Sequence, residues 1–415
     1  MISTQIVKDC NFMKYWVGSL FSGLGDAVFA LCLTWMVYDA TDSGAVVGAL
    51  FLTLGAPQVL LTAFAGVLVD RINPIKAMIL CGWSRVLLIG FLFLLSAFGS
   101  LPLWSLFAAA FGFGTLEAFF WPAASAVRQR LVKPELYTQS NGLLMIAMKT
   151  TAVIGPLAGG TLTALGSDQT VLLLIIAAFF GGVLLLMTVK IDPLAAVKQE
   201  GATKVRASYW MDLQEGVSFI LRTPILLVTS LTAFLVNACA SVVPIGAPFL
   251  ASALGGGEQE FGWLNASIGV GGTVGAILFA LLVIRRPTPR MTLIACFFEG
   301  LIILLLGLTG HLLLALLLLA LFGITDAAIN VIAPSVTQSI VPPQLMGRVV
   351  AVMILLMSGS VPIARAASGY LVEAIGVNSV LALNGTVEML IVLAAFFLPA
   401  IRNYRTSTKV VADSL

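Results

Sequence analysis

The chain is 415 residues long, with 60% hydrophobic residues, only 10% charged residues and a mean hydropathy of +1.06. A soluble domain carries about 25% charged residues, so a water-soluble fold is excluded and an integral membrane protein is indicated. The net charge of +3 lies at the chain's polar junctions and offers no basic face for nucleic acid.

The N-terminal stretch through Trp16 has no short apolar region followed by a small-residue cleavage site, so the first hydrophobic segment is expected to remain as a membrane span. A span needs about 20 apolar residues, and twelve such segments fall at roughly 12–38, 44–69, 74–97, 102–127, 138–165, 168–190, 223–251, 259–285, 289–309, 311–339, 344–374 and 377–400. Lys and Arg cluster at alternate junctions: Lys8/Lys14, Arg71/Lys76, Arg128/Arg130/Lys133, Lys190 through Arg222, Arg285/Arg286/Arg290, Arg348 and Arg402/Arg405/Lys409. The junctions between them carry no cation. This positive-inside alternation predicts a multi-pass protein of the cell (plasma or inner) membrane with both termini cytoplasmic. The one long polar link, with Lys198, Lys204 and Arg206, ends in Tyr209–Arg222. There Trp210, Leu213, Val217, Ile220 and Leu221 fall near one helical face, which predicts a cytoplasmic helix lying on the membrane surface.

The two halves repeat. Gly114-Thr-Leu-Glu117-Ala matches Gly323-Ile-Thr-Asp326-Ala at an offset of 209, and Gln129 through Leu136 matches Gln338 through Leu345 at the same offset. Gly160 matches Gly369, again at 209, and Asp26 corresponds to Asn237 at 211. The expected architecture is all-α, with twelve transmembrane helices in two pseudo-symmetric six-helix bundles. Its parts are an N-terminal bundle over 1–191, a cytoplasmic linker over 192–222, a C-terminal bundle over 223–401 and a cytoplasmic tail over 402–415. Two parallel six-helix halves are the plan of a large class of secondary transporters with a midplane substrate site.

The loop after span 2 reads Gly66-Val-Leu-Val-Asp70-Arg71, and span 5 contains Gly155-Pro156-Leu-Ala-Gly159-Gly160. With these motifs the chain resembles the major facilitator superfamily over its whole length. The first motif is similar to that family's cytoplasmic gate, and the second to the glycine-proline hinge of its drug:proton antiporters. Within the superfamily the likeness is to the macrolide-efflux and siderophore-exporter branch. It is carried by Ser22-Gly-Leu-Gly-Asp26, Phe120-Trp121-Pro122-Ala, Leu131 through Leu136, Pro334-Ser335, Leu345 through Arg348 and Pro362. Many proton-coupled members carry an arginine within span 4; here Glu117 is on that span, and the nearest arginine inside the membrane is Arg85 on span 3.

Arg85, Lys149 and Arg365 are cations inside spans, and Asp26, Glu117, Glu299, Asp326 and Glu388 are acids inside spans. At about 1.5 Å per residue, Arg85 lies roughly 14 Å along its helix from Lys76, and Asp26 roughly 18 Å from Lys14. A charge at such depth is costly unless it is paired, neutralised or wetted. Asp26, Glu117, Asp326 and Arg85 are therefore the proton-coupling candidates, because a carboxyl there can trade a proton against a cationic compound. The resemblance places spans 1, 4, 7 and 10 around the cavity, which makes Phe29, Trp35, Phe120, Trp121, Phe234, Asn237 and Asn330 its candidate lining. The alternative for the acids is fixed ion pairing: Asp26 or Glu117 with Arg85, Asp326 with Arg365 or Lys149. Glu299 and Glu388 belong to spans 9 and 12, peripheral helices in the family, where lateral pairing is expected.

Five cysteines without ligand spacing and a single histidine predict neither a metal site nor a cofactor, and the absence of a phosphate-binding glycine loop argues against ATP-driven transport. The expected activity is not enzymatic. It is proton-coupled export of small lipophilic compounds, macrolide or multidrug-like, by alternating access, with protons, substrate and lipid as partners and a monomer as the working form. The alternatives are an exporter of an endogenous siderophore or lipid-like product and a uniporter or importer of a small solute.

Overall fold

The computed structural model describes residues 6, 8–99, 101–190, 209–282, 287–342, 344–402 and 404. Among the described residues twelve helices are long and apolar enough to cross a bilayer, and they follow the expected segments. Spans 1 to 6 are Cys10–Thr41, Gly44–Arg71, Pro74–Ala97, Leu103–Leu131, Tyr137–Leu165 and Asp168–Met187. The connector helix is Tyr209–Arg222. Span 7 runs through Pro224–Ala240 and Val242–Ala253, and spans 8 to 12 are Glu258–Leu281, Pro289–Leu308, Leu312–Ile340, Met346–Ile375 and Val377–Phe397. Lys198, Lys204, Arg206, Arg285, Arg286, Arg405 and Lys409 lie outside the described residues.

Local chemistry sets the helix ends. The Asp9 carboxylate caps span 1 by accepting from the amides of Asn11 (2.9 Å) and Phe12 (3.2 Å), and Asn73 caps span 3 ahead of Pro74, whose missing N–H costs nothing at a first helical position. Spans 11 and 12 are joined at Gly376, whose φ of 80° suits glycine. Apolar side chains fill the core and also cover the outside: Leu60, Phe64, Leu80, Leu87 and Leu313 are among the most exposed side chains, while the mostly apolar core also holds the fully buried Arg85 and Glu388. Apolar groups face lipid at no cost, and polar groups must be satisfied inside.

The chain divides into two compact units. One comprises Met1–Val205, Pro244–Val270 and Arg365–Ala374; the other comprises Arg206–Val243, Gly271–Ala364 and Ile375–Leu415. They differ from the repeat halves in spans 7, 8 and 11, of which residues 244–270 and 365–374 pack with the first unit. Small residues make that packing possible. A Cβ on Gly160 of span 5 would sit 2.8 Å from the Gly262 Cα of span 8, and one on Gly369 of span 11 would sit 2.7 Å from the Gly48 Cα of span 2. Gly160 and Gly369 are repeat mates, so duplication has placed the same close helix crossing at both positions.

The connector helix docks on its own unit through part of its surface. Ile220 packs with Leu226, Val341, Val349 and Val352, and Glu215 pairs with Arg348. Val217 and Leu221 stay exposed, and the side chains of Trp210 and Leu213 lie outside the described residues.

Candidate functional site

In the first unit, Arg85 of span 3 is held between two acids. Its Nη1 is 3.2 Å from Asp26 Oδ1 on span 1, and its Nη2 donates to Glu117 Oε1 on span 4. Glu117 Oε2 also accepts from the indole N–H of Trp121, one turn along the same face. The guanidinium carbon stands over three rings: Phe120 at 4.4 Å, Phe113 at 5.0 Å and Phe179 at 5.3 Å. Gly25 makes room for this box, since a Cβ there would meet the Phe179 ring at 2.9 Å.

Two carboxylates and one guanidinium sum to −2 + 1 = −1. The cluster is neutral only when one carboxyl holds a proton or a cation replaces it. The two acids are not equivalent. Glu117 is engaged at both oxygens. Asp26 Oδ1 accepts no aligned hydrogen bond among the described groups, so charge alone ties it to Arg85, and its side chain is 23% exposed against 12% for Glu117. Asp26 is the more exposed and less tightly held of the two acids.

The expected cavity residues are distributed unevenly. Phe29, packed on Phe113 at 4.5 Å, and Phe120 are buried in the arginine's aromatic surround, whereas Trp121 is 45% exposed. Trp35 sits at the cation-free end. Its Nε1 donates to Glu258 Oε1 (2.8 Å), its ring stacks on Phe261, and neighbouring Tyr38 donates to Ser252 Oγ (2.7 Å). Trp35 therefore closes a helix end rather than lining an open space. The hinge motif is a seam: a Cβ on Gly155 would meet Ala27 at 2.5 Å, and one on Gly159 would meet Leu31 at 2.8 Å. The side chains of Gly66, Asp70 and Arg71 lie outside the described residues; the backbone there continues span 2.

The second unit contains a cavity of about 260 Å³. Asn237 and Asn330 line it, with Thr232 and Gln338 as further polar groups and Met353 and Met357 as flexible apolar wall. Asn237 donates to its own helix at Ala233 O (2.8 Å), and Asn330 donates to Asp326 Oδ1 (3.0 Å). Phe234 is half-buried on span 7 and is not in the lining. Lys149 forms no ion pair among the described residues, and Arg365 stacks over Phe51 at 4.9 Å. Phe113, Phe179 and Glu258 escaped the sequence reading. Phe113 had a signal, since it lies four residues before Glu117 on one face.

These features define a transporter. The model of the Major Facilitator Superfamily matches residues 15–364 and 229–412, and the chain belongs to that family. The multidrug efflux pump Tap of Mycolicibacterium fortuitum is 22% identical, over 94% of this chain and 96% of its own. Macrolide efflux protein A of Streptococcus pyogenes is 22% identical, over 95% and 96%. The solved nucleoside transporter NupG superposes with a TM-score of 0.75 at 13% identity, covering 95% of this chain and all of that one. A bacterial homologue of the lysosomal transporter Spinster gives 0.70 at 17%, covering 97% and 99%. At these identities the structural matches speak for the fold alone.

Proposed function

We propose that this protein is a proton-coupled antiporter that exports small lipophilic compounds, macrolide or multidrug-like, across the cell membrane, with both termini cytoplasmic and a monomer as the working unit. The observation that carries the reading is the unbalanced charge of Asp26–Arg85–Glu117. A buried cluster of charge −1 favours uptake of either a proton or a cationic compound, and only one of them neutralises it at a time. Competition of that kind is what antiport requires, because each ligand then stabilises a different state of the cycle. Asp26 is the proton carrier, and Glu117 holds the arginine through both states. The exposed ring of Trp121 beside Glu117 supplies an apolar contact in the first unit. Asn237, Asn330 and the methionines of the second unit's cavity supply an adaptable one. The efflux activity of Tap and of macrolide efflux protein A supports the direction of transport.

The test uses everted vesicles with ethidium and erythromycin as probes and a pH-sensitive dye. Wild type is expected to exchange either compound for protons. Asp26→Asn removes the titrating group and is expected to lower gradient-driven transport at least tenfold while leaving probe binding measurable. Unchanged proton exchange in both Asp26→Asn and Glu117→Gln would overturn the reading.

A further inference from the structure

The second unit buries two acids that the site above does not use. Glu299 on span 9 is 3% exposed and Glu388 on span 12 is fully buried. The two helices cross at glycines: a Cβ on Gly300 would lie 3.0 Å from Gly385 O and 3.2 Å from the Glu388 Cβ. That contact brings the carboxyl of Glu388 to hydrogen-bonding reach of the Glu299 carboxyl. Neither Glu388 oxygen meets a donor among the described groups; what faces it is a second acceptor.

The neighbours do not relieve this. Span 10 contributes Asp326, which adds negative charge beside Glu299. Cys296 on span 9 and Cys239 on span 7 are the other titratable groups near the pair. Arg290, the described cation on span 9, is nine residues from Glu299, roughly 14 Å along the helix. It is engaged elsewhere, over the Phe396 ring at 6.0 Å. Two ionised carboxylates in contact, buried and without a counter-charge among the described residues, carry both the burial cost and their mutual repulsion.

We propose that Glu299 and Glu388 form a second proton-binding site, which keeps at least one proton between the two carboxyls while the protein is folded. The proton supplies the missing donor. One carboxyl becomes an O–H that bonds to the other, so one proton engages one of the two orphaned Glu388 oxygens and a second proton can engage the other; the pair's charge falls from −2 to −1 or to zero. The site is not sealed from the transport path, because Cys296, one turn before Glu299, lines the cavity that holds Asn237 and Asn330. Water entering that cavity comes within one helical turn of the pair. For its part in transport the site rests on the proton-coupled reading; for the binding of its proton it does not.

Infrared spectroscopy of the full-length protein in phosphatidylethanolamine–phosphatidylglycerol liposomes tests the proposal. At neutral pH wild type is expected to show the carbonyl stretch of a protonated carboxylic acid, shifting in heavy water. The double variant Glu299→Gln/Glu388→Gln is expected to lose at least one acid's worth of that band, whereas Asp26→Asn leaves this component in place. The double variant replaces acids by amides of the same shape and is expected to fold, with thermal unfolding that no longer falls at alkaline pH as wild type does. A band equally strong in wild type and the double variant overturns the site. So does a band lost in Asp26→Asn and kept in the double variant, which would place the proton in the first unit. Ethidium-driven proton flux in the same liposomes separates the two ideas. Normal flux with an unchanged band removes the pair alone; a band that is lost as expected with no flux in wild type keeps the proton site and removes its role in transport.

Discussion

The two units bury acids in opposite ways. In the first, Asp26 and Glu117 share one arginine inside an aromatic box, leaving a charge of −1. In the second, neither Glu299 nor Glu388 pairs with a cation among the described residues. Duplication preserved the scaffold, since Gly160 and Gly369 make the same close crossing, and it left the charge free to diverge. Asn237 stands where the first half has Asp26, Asp326 where it has Glu117, and Asn330 where it has Trp121. The lesson is that backbone packing and charge chemistry are separable in this fold: helix contacts need small residues at a few fixed places, while a buried charge needs only some neutralising group, which can be an arginine or a proton.

The strongest way to break this comparison is to remove the arginine. Arg85→Leu leaves two acids buried without a counter-charge, as in the second unit, but in a site shaped for a cation. Breaking a buried pair by removing one partner costs about 3–5 kcal/mol, so the variant is expected to lose folded protein sharply. Fluorescence-detected size exclusion with a melting series reads this. The triple change Arg85→Leu, Asp26→Asn, Glu117→Gln is expected to recover most of the loss, because no charge remains. A stable Arg85→Leu single variant would mean that protons alone neutralise the first unit too, and the contrast would vanish.

Next in size is the shared crossing. Gly160→Val and Gly369→Val each push a branched side chain into backbone that lies within contact distance. Overpacking of this kind costs about 1–3 kcal/mol. The two variants are expected to lose stability and ethidium efflux to a similar degree. Unequal effects would show that the repeat mates do different jobs.

Within the first unit, Trp121→Phe keeps the ring and removes the donor to Glu117. A single hydrogen bond to a charged group is worth about 1.5–3 kcal/mol, and a neutral one about 1. Glu117 retains Arg85, so the smaller figure is expected. The readout is the pH dependence of efflux, which shifts if Glu117 then shares the titration with Asp26, and stays put if the indole serves packing only.

Much of this was legible before any coordinates. Twelve apolar segments need no tertiary information, since each must be long enough to cross the bilayer alone. Arg85 also declared itself, because a cation that far from the headgroups demands acids, and spans 1 and 4 offered Asp26 and Glu117. What could not be read was helix rotation. Phe29 and Phe120 looked like cavity lining and turn inward around the arginine; Trp35 looked the same and instead bonds to Glu258. Apolar residues occur all round these helices, so periodicity gives no facing direction. The approach of Glu299 to Glu388 was hidden for the same reason: it depends on a glycine crossing between two helices far apart in sequence.

The smallest expected effect tests the comparison from outside the membrane. Glu215 of the connector helix pairs with Arg348, but both side chains are well exposed, at 51% and 36%. Water solvates each charge when the partner is gone, so an exposed pair contributes about 0–1 kcal/mol. Glu215→Gln is therefore expected to shift the melting temperature barely, and less still at high salt, where exposed charges are screened. Ile220 and its apolar neighbours hold the connector without it. If Glu215→Gln instead cost as much as Arg85→Leu, the energy of an ion pair here would not follow its burial. Desolvation would then not be what forces the arginine of the first unit and the proton of the second.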